Sequence, residues 1–247
     1  LRDGSAYDRE VATVRWDHTP VSGWHANTVI TGSNIHQSDV YTLDQTQFNS
    51  RSSINRSPIT FRKVQALRLS SALEREGRKS LWSFTPYARD NVLELMPYWQ
   101  LTYDPQLWDT RNKSLGMLAK YRRDFDPLKT RLIAGADFDW SPGTFNAQQV
   151  IATKSGANNL IWSDYSLGET QYNYDVTYRS ASPYAQVEAS ILPRLRLDAG
   201  LRYDLSGYSY TNKLSVDEQP GSAHKRPADT DVSYHHLSPK VGLTYDL

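Results

Sequence analysis

The sequence predicts an all-β protein: a transmembrane antiparallel up-and-down β-barrel, present as a partial barrel of about nine strands. Three observations predict it. Between Ser182 and Asp204 two strands alternate strictly between apolar and polar residues, over eleven residues on the second of them. Turn-forming segments along the chain alternate between short and long. No uninterrupted apolar run reaches four residues, which excludes a membrane helix of about 20 residues but not a spanning strand, because only every second strand residue meets lipid.

Side chains on a strand point to opposite faces with period two. Ala185, Val187, Ala189 and Ile191 share one parity, and Tyr184, Gln186, Glu188 and Ser190 share the other. Beyond a turn at Pro193, Leu195, Leu197, Ala199, Leu201, Tyr203 and Leu205 alternate with Arg196, Asp198, Gly200, Arg202 and Asp204. Soluble sheets also alternate, on strands of about five or six residues. Spanning a bilayer takes about 9–11.

The same reading places strands at Tyr7–Trp16, Trp24–Ile35, Thr60–Leu73, Ser80–Arg89, Ser114–Phe125, Thr130–Trp140, Asn173–Leu192, Arg194–Tyr210 and Ser233–Leu247. Thr60–Leu73 alternates least well. Leu132, Phe138, Leu197, Leu201, Val241 and Leu243 fall on the apolar parity and are expected to face lipid. Pro239, lacking the ladder donor, is expected near a strand end or a bulge.

Short connections fall at Asp17–Gly23, Glu74–Lys79, Asp126–Lys129 and around Pro193; long ones fall at His36–Ile59, Asn91–Lys113, Ser141–Tyr172 and Thr211–Val232. Turns at one end and long loops at the other are the signature of an outer-membrane barrel. Loops of 20 residues or more are uncommon in a compact soluble domain.

The chain has 247 residues, a net charge of +1 and no cysteine. Nothing in that balance marks a nucleic-acid binder, and neither a disulfide framework nor a thiolate metal site is possible. Mean hydropathy is −0.64, yet 16 Tyr and 7 Trp make the chain rich in aromatics.

Candidate chemistry is sparse. His235 and His236 are adjacent, so strand geometry sends them to opposite faces and no shared metal is expected. His18 is placed in a turn. Asp137 and Asp139 share a strand face about 7 Å apart, as any i, i+2 pair must, and read as lumen-lining charges together with Asp198, Arg202 and Asp204. Glu74 and Glu76 are placed in a turn. No Gly-x-Ser-x-Gly or phosphate-cradling loop occurs, and no catalytic residue is expected. The Ser141–Tyr172 connection carries, with its flanks, Trp140, Phe145, Trp162, Tyr165, Tyr172 and Tyr174 among amides and hydroxyls. Such side chains suit enclosure of a flat, partly apolar metal chelate. Arg and Lys would help with an anionic one. Trp162, Tyr165 and Tyr172 are the loop candidates for ligand contact, against the plainer reading of an interface belt or self-packing.

Ser182-Pro-Tyr-Ala-Gln, Leu197-Asp-Ala-Gly-Leu-Arg-Tyr-Asp204 and Leu237-Ser-Pro-Lys-Val-Gly-Leu-Thr-Tyr-Asp246 resemble, in that order, strands of TonB-dependent siderophore receptors. Arg131-Leu-Ile-Ala-Gly-Ala-Asp-Phe-Asp139 resembles an earlier strand. The resemblance is specific from Ser182 to Leu247 and absent upstream of Gly116. It implies a receptor in the outer membrane of a Gram-negative bacterium that imports a ferric siderophore or similar chelate. Energy would come from the TonB complex, acting through a plug that lies outside this sequence; lipid and lipopolysaccharide would surround the barrel. No covalently bound cofactor is implied. An odd strand number leads us to expect residues 1–247 to be an internal part of one barrel domain. A passive porin, or a soluble all-β binding domain, would share the alternation.

Overall fold

In a computed structural model the chain is described at residues 2–217 and 223–246. Nine antiparallel strands form one unclosed sheet in sequence order: β1 (Tyr7–His18), β2 (His25–Ser38), β3 (Phe61–Gly77), β4 (Ser80–Met96), β5 (Gln106–Phe125), β6 (Thr130–Ser155), β7 (Ile161–Leu192), β8 (Leu195–Asn212) and β9 (Thr230–Tyr245). All nine expected strands are present. Residues 218–222 of the Thr211–Val232 connection, and Leu247 of the last strand, lie outside the described residues. Among the described residues no helix is long and apolar enough to cross a membrane, which says nothing of a spanning strand.

Register carries the period-two pattern from strand to strand, because directly paired residues point the same way. Met117, Phe138, Ala181 and Leu205 form one transverse row, since Met117 pairs with Phe138, Phe138 with Ala181, and Ala181 with Leu205. Leu132, Val187, Ala199 and Val241 form another. Leu201 and Leu197 share this face through their partners Ala185 and Leu243. The band runs nine positions on β6 (Leu132–Trp140) and eleven on β8 (Leu195–Leu205), matching the length needed to span. Aromatic rings mark its turn end. Trp82 lies 4.2 Å from Tyr121 and 6.2 Å from Phe84, while Trp16 stacks on His18 at 3.8 Å. Rings at the polar boundary of an apolar band are what a membrane interface selects.

The strands continue far beyond the band. β6 has 26 residues and β7 has 32, so at about 3.3 Å per residue even β6 runs more than twice the hydrocarbon thickness. This corrects two expected loops. Of Asn91–Lys113, only 97–105 leaves the ladder; of Ser141–Tyr172, only Gly156–Leu160 does. The reason is physical: above the lipid no apolar parity is required, yet backbone pairing still satisfies every ladder group. Glu74 and Glu76 likewise lie within β3, and His18 ends β1. Pro239 sits inside β9 opposite Leu201, without the expected bulge; β9 has a described neighbour on one side only, where a missing donor is tolerated.

The connection between β2 and β3 contains one short helix, α1 (Gln45–Arg51), opened by a capping box in which Asp44 and Gln47 satisfy each other's backbone N–H groups. This connection packs with 97–105 and the β6–β7 hairpin into a small core. Met96, Leu101, Ala147 and Val150 are buried there, beside buried Ser57, Thr60 and Gln106. Val150 N donates to Pro105 O at 2.8 Å, and Trp162 N donates to Arg56 O at 2.9 Å. Among the described residues, the buried apolar side chains other than Ala26 lie at this end rather than between two layers.

Candidate functional site: the lumenal wall

The face opposite the apolar band is polar over the same stretch. Arg202 donates from Nη1 to Asp137 and from Nε to Asp204, each at 2.7 Å. Arg131 Nε meets Asp124 at 2.7 Å, and Gln186 bridges Glu188 and Asp198 at 3.2 and 2.8 Å. Tyr87 and Ser141 both donate to Asp139. Asp137 and Asp139 thus share a face, as their spacing requires, and both are engaged by partners. Glu76 lies 3.7 Å from Arg122, and Glu74 accepts from Ser83 at 3.2 Å. His235 and His236 do point to opposite faces: His236 pairs with Asp204 on the polar side, and His235 sits 6.3 Å from Tyr203 on the apolar side. Among the described residues no group of three metal-ligating side chains occurs.

Above the band the polar face becomes aromatic. Trp108 lies 6.2 Å from Phe145, Phe145 lies 5.1 Å from Tyr174, and Tyr174 lies 5.1 Å from Tyr210. Tyr178 and Tyr208 pair 5.0 Å apart, two rows below Phe145 and Tyr174. Tyr172 extends the wall upward, 6.4 Å from Phe145 and 5.6 Å from His224. His224 Nε2 is 3.4 Å from Asp104 Oδ1, and Asp104 accepts from Gln106, which in turn accepts from Trp108 Nε1. Burial pushes the phenols of Tyr172, Tyr174 and Tyr210 above their ordinary value. Asp104 adds to the effect at Tyr172, and Tyr210 adds to it at Tyr174.

The three sequence candidates separate. Trp162, Tyr165 and Tyr172 lie on β7 rather than in a loop. Tyr172 pairs with Ala147 and joins the aromatic wall; Tyr165 pairs with Ala152 and Trp162 with Lys154, toward the hairpin tip. The Lys154 ammonium sits 4.0 Å over the Trp162 ring, and the Trp162 amide is tied to Arg56. Sequence reading did not single out Trp108, Tyr178, Tyr208 or Tyr210. The signal was the parity of β8: Tyr208 and Tyr210 lie in phase with Arg202 and Asp204, on the lumenal side.

A family model described as TonB dependent receptor-like, beta-barrel, matches residues 1–247. No curated protein sequence matches. Among solved structures, the unliganded ferric citrate transporter FecA aligns over 100% of this chain with a TM-score of 0.75 at 11% identity, and the chain spans 35% of it. The open form of Fiu, a ferric-catecholate import receptor of E. coli K12, aligns over 100% with a TM-score of 0.69 at 14% identity, the chain spanning 46% of it. FyuA of Yersinia pestis, a ferric yersiniabactin uptake receptor, aligns over 98% with a TM-score of 0.70 at 10% identity and 35% of its length. At such identities the likeness is one of fold.

Proposed function

The chain belongs to the TonB-dependent receptor β-barrel family, and we propose that it forms part of the barrel of a receptor importing a ferric siderophore or similar chelate with TonB-coupled energy. Family members are outer-membrane proteins of Gram-negative bacteria, and the family and its structural neighbours are receptors and transporters. In the proposed reading, residues 1–247 lie within one barrel domain of such a membrane, with lipid and lipopolysaccharide against the apolar band. A plug and further strands outside this sequence complete the receptor, and the plug receives the pull of the TonB complex. The ligand is the transported chelate, with no covalently bound cofactor.

One observation carries the reading. The lumenal wall changes from paired charges inside the band to the stacked rings of Trp108, Phe145, Tyr174 and Tyr210 above it. A ring-lined wall at the mouth of a polar lumen suits capture of a bulky chelate whose periphery is partly apolar. Binding followed by gated passage needs no bond-making side chain. Tyr172 extends that wall, and Trp162 and Tyr165 would meet the chelate from the hairpin tip. A passive porin shares the barrel, but the family match favours the receptor.

Uptake of a radio-iron chelate by cells producing the complete receptor tests this. Uptake should require functional TonB and should fall in a Trp108→Ala, Tyr174→Ala variant whose barrel still assembles. Equal uptake in cells lacking TonB would instead fit a passive pore.

A further inference from the structure

Arg68 on β3 and Arg89 on β4 are directly paired in the ladder, so their side chains leave the same face at neighbouring positions. That face is the lumen: Arg89 lies 4.5 Å over the ring of Tyr87, the residue that donates to Asp139. Both arginines are exposed, and neither forms an ion pair among the described residues. Like charges directly opposite on antiparallel strands are destabilising. Elsewhere on this wall Arg202, Arg131 and Lys240 each meet a carboxylate.

The surroundings of this pair supply further hydrogen-bonding groups. Thr31 pairs with Arg68 and Ser114 with Arg89, extending the row to both sides. Ser114 Oγ touches Ser141 Oγ at 2.8 Å, and Ser141 pairs with Tyr178. One row nearer the mouth, Asn91 and Asn112 face each other. Two guanidinium forks, side-chain amides and hydroxyls on one patch make a surface for several oxygens carrying negative charge. Guanidinium matches carboxylate in a bidentate fashion, and stacking on Tyr87 leaves the edge of Arg89 free to donate.

We infer that Arg68 and Arg89 form an anion station on the lumenal wall that takes the carboxylates of an anionic, carboxylate-rich metal chelate. The inference rests on the receptor reading above and narrows its ligand class. A mobile solute fits better than a fixed acidic side chain of the receptor. Tyr178 and Tyr208 lie further along the same transverse row, with Phe145 and Tyr174 two rows above, so a chelate leaving the aromatic wall passes Asn91 and Asn112 and then meets the arginines.

The test measures binding of ferric citrate, and of an uncharged trihydroxamate ferric chelate, to the complete receptor in detergent. The variants are R68Q/R89Q and R68K/R89K, with melting of the chelate-free protein recorded for each. Ferric citrate affinity should fall about tenfold or more in the glutamine variant, as loss of charge-assisted hydrogen bonds demands. The lysine variant, which keeps the charge but loses the bidentate fork, should fall between the wild type and the glutamine variant, and uncharged-chelate binding and melting should stay unchanged. Unchanged ferric citrate affinity in R68Q/R89Q overturns the inference. So does altered melting of the chelate-free glutamine variant without a change in affinity, which would assign the arginines to a fixed acidic group. If the wild type does not bind ferric citrate, the anion station falls, while the receptor reading stands or falls separately by TonB-dependent uptake.

Discussion

The ring of Tyr184 occupies the space in front of its ladder partner Gly135: a methyl group placed on Gly135 would stand 2.5 Å from Tyr184 Cζ and 2.3 Å from the backbone oxygen of Ala119. Tyr87 and Gly116, also directly paired, repeat the arrangement, at 2.2 Å from Tyr87 Cζ. Both tyrosines lie on the lumenal face, and each uses a glycine to lie close to the wall. Tyr87 thereby reaches Asp139, while Tyr184 faces the Arg202 guanidinium at 6.0 Å.

Gly135→Ala should therefore destabilise the barrel by about 1–3 kcal/mol, the usual cost of overpacking against atoms that cannot retreat. Gly242→Ala is the control. Its added carbon would meet nothing nearer than Asp198 Cβ at 3.9 Å, so loss of unfolded-chain freedom should leave it neutral or slightly stabilising. Reversible folding into bilayers measures both. Equal effects at the two glycines would remove the tyrosine packing from the account of stability.

Leu201 lies on the apolar band, pairing with Ala185 and Pro239. Leu201→Arg should cost about 2–4 kcal/mol in the same assay, the range for a cation near the bilayer midplane. Gly200→Ser, one residue away and on the lumenal side, should cost much less. If the two are tolerated alike, the assignment of faces is wrong.

The nine strands were legible because lipid on one side and a polar lumen on the other impose period two on the residues between, as at Leu197–Asp204. Where that constraint ends, so does the signal. Gln106–Lys113 and Ser141–Ser155 are rich in Asn, Gln, Ser, Thr and Gly and read as loop, yet they remain paired strand. Thr60–Leu73 alternated poorly because Lys63 and Gln65 stand on the same parity as Leu67 and Leu69, on the part of β3 that continues beyond the apolar band. The aromatic wall was half legible. Tyr172 stood out at the end of an expected loop and Tyr174 on its flank, but Trp108, Tyr178, Tyr208 and Tyr210 join it only through register. The opposition of Arg68 and Arg89 depends wholly on register, which the 20 residues of intervening sequence do not disclose.

Burial raises the Tyr174 phenol above its ordinary value, which holds the neutral form in the folded protein. The sign of the linkage follows. Below about pH 10, where the unfolded phenol is also neutral, the stabilising contribution is fully present, and it is lost as pH rises through the higher folded value. Tyrosinate absorbance during alkaline titration of the complete receptor should show Tyr174→Phe removing a late-titrating component. The wild type should lose stability more steeply than Tyr174→Phe above about pH 10. A component that disappears from the ordinary range instead would place Tyr174 in free contact with water.

Sidedness decides every ligand-facing assignment, and two single-cysteine reporters test it. The chain has no cysteine of its own, so each reporter is clean within this segment. Ser155 is exposed at the tip of the β6–β7 hairpin, beyond the aromatic wall, and Arg194 is exposed in the tight turn between β7 and β8. The apolar band lies between them, so they stand at least a membrane thickness apart, about 30 Å. Long hairpins face outward and tight turns face the periplasm in barrels of this kind. A membrane-impermeant thiol reagent added to intact cells should therefore label Ser155→Cys and leave Arg194→Cys untouched until the outer membrane is opened. Neither substitution touches the ion pairs or rings of the wall, so both proteins should assemble normally. Labelling of Arg194→Cys but not Ser155→Cys would turn the barrel over, placing the aromatic wall and the arginine pair on the side from which no external chelate arrives.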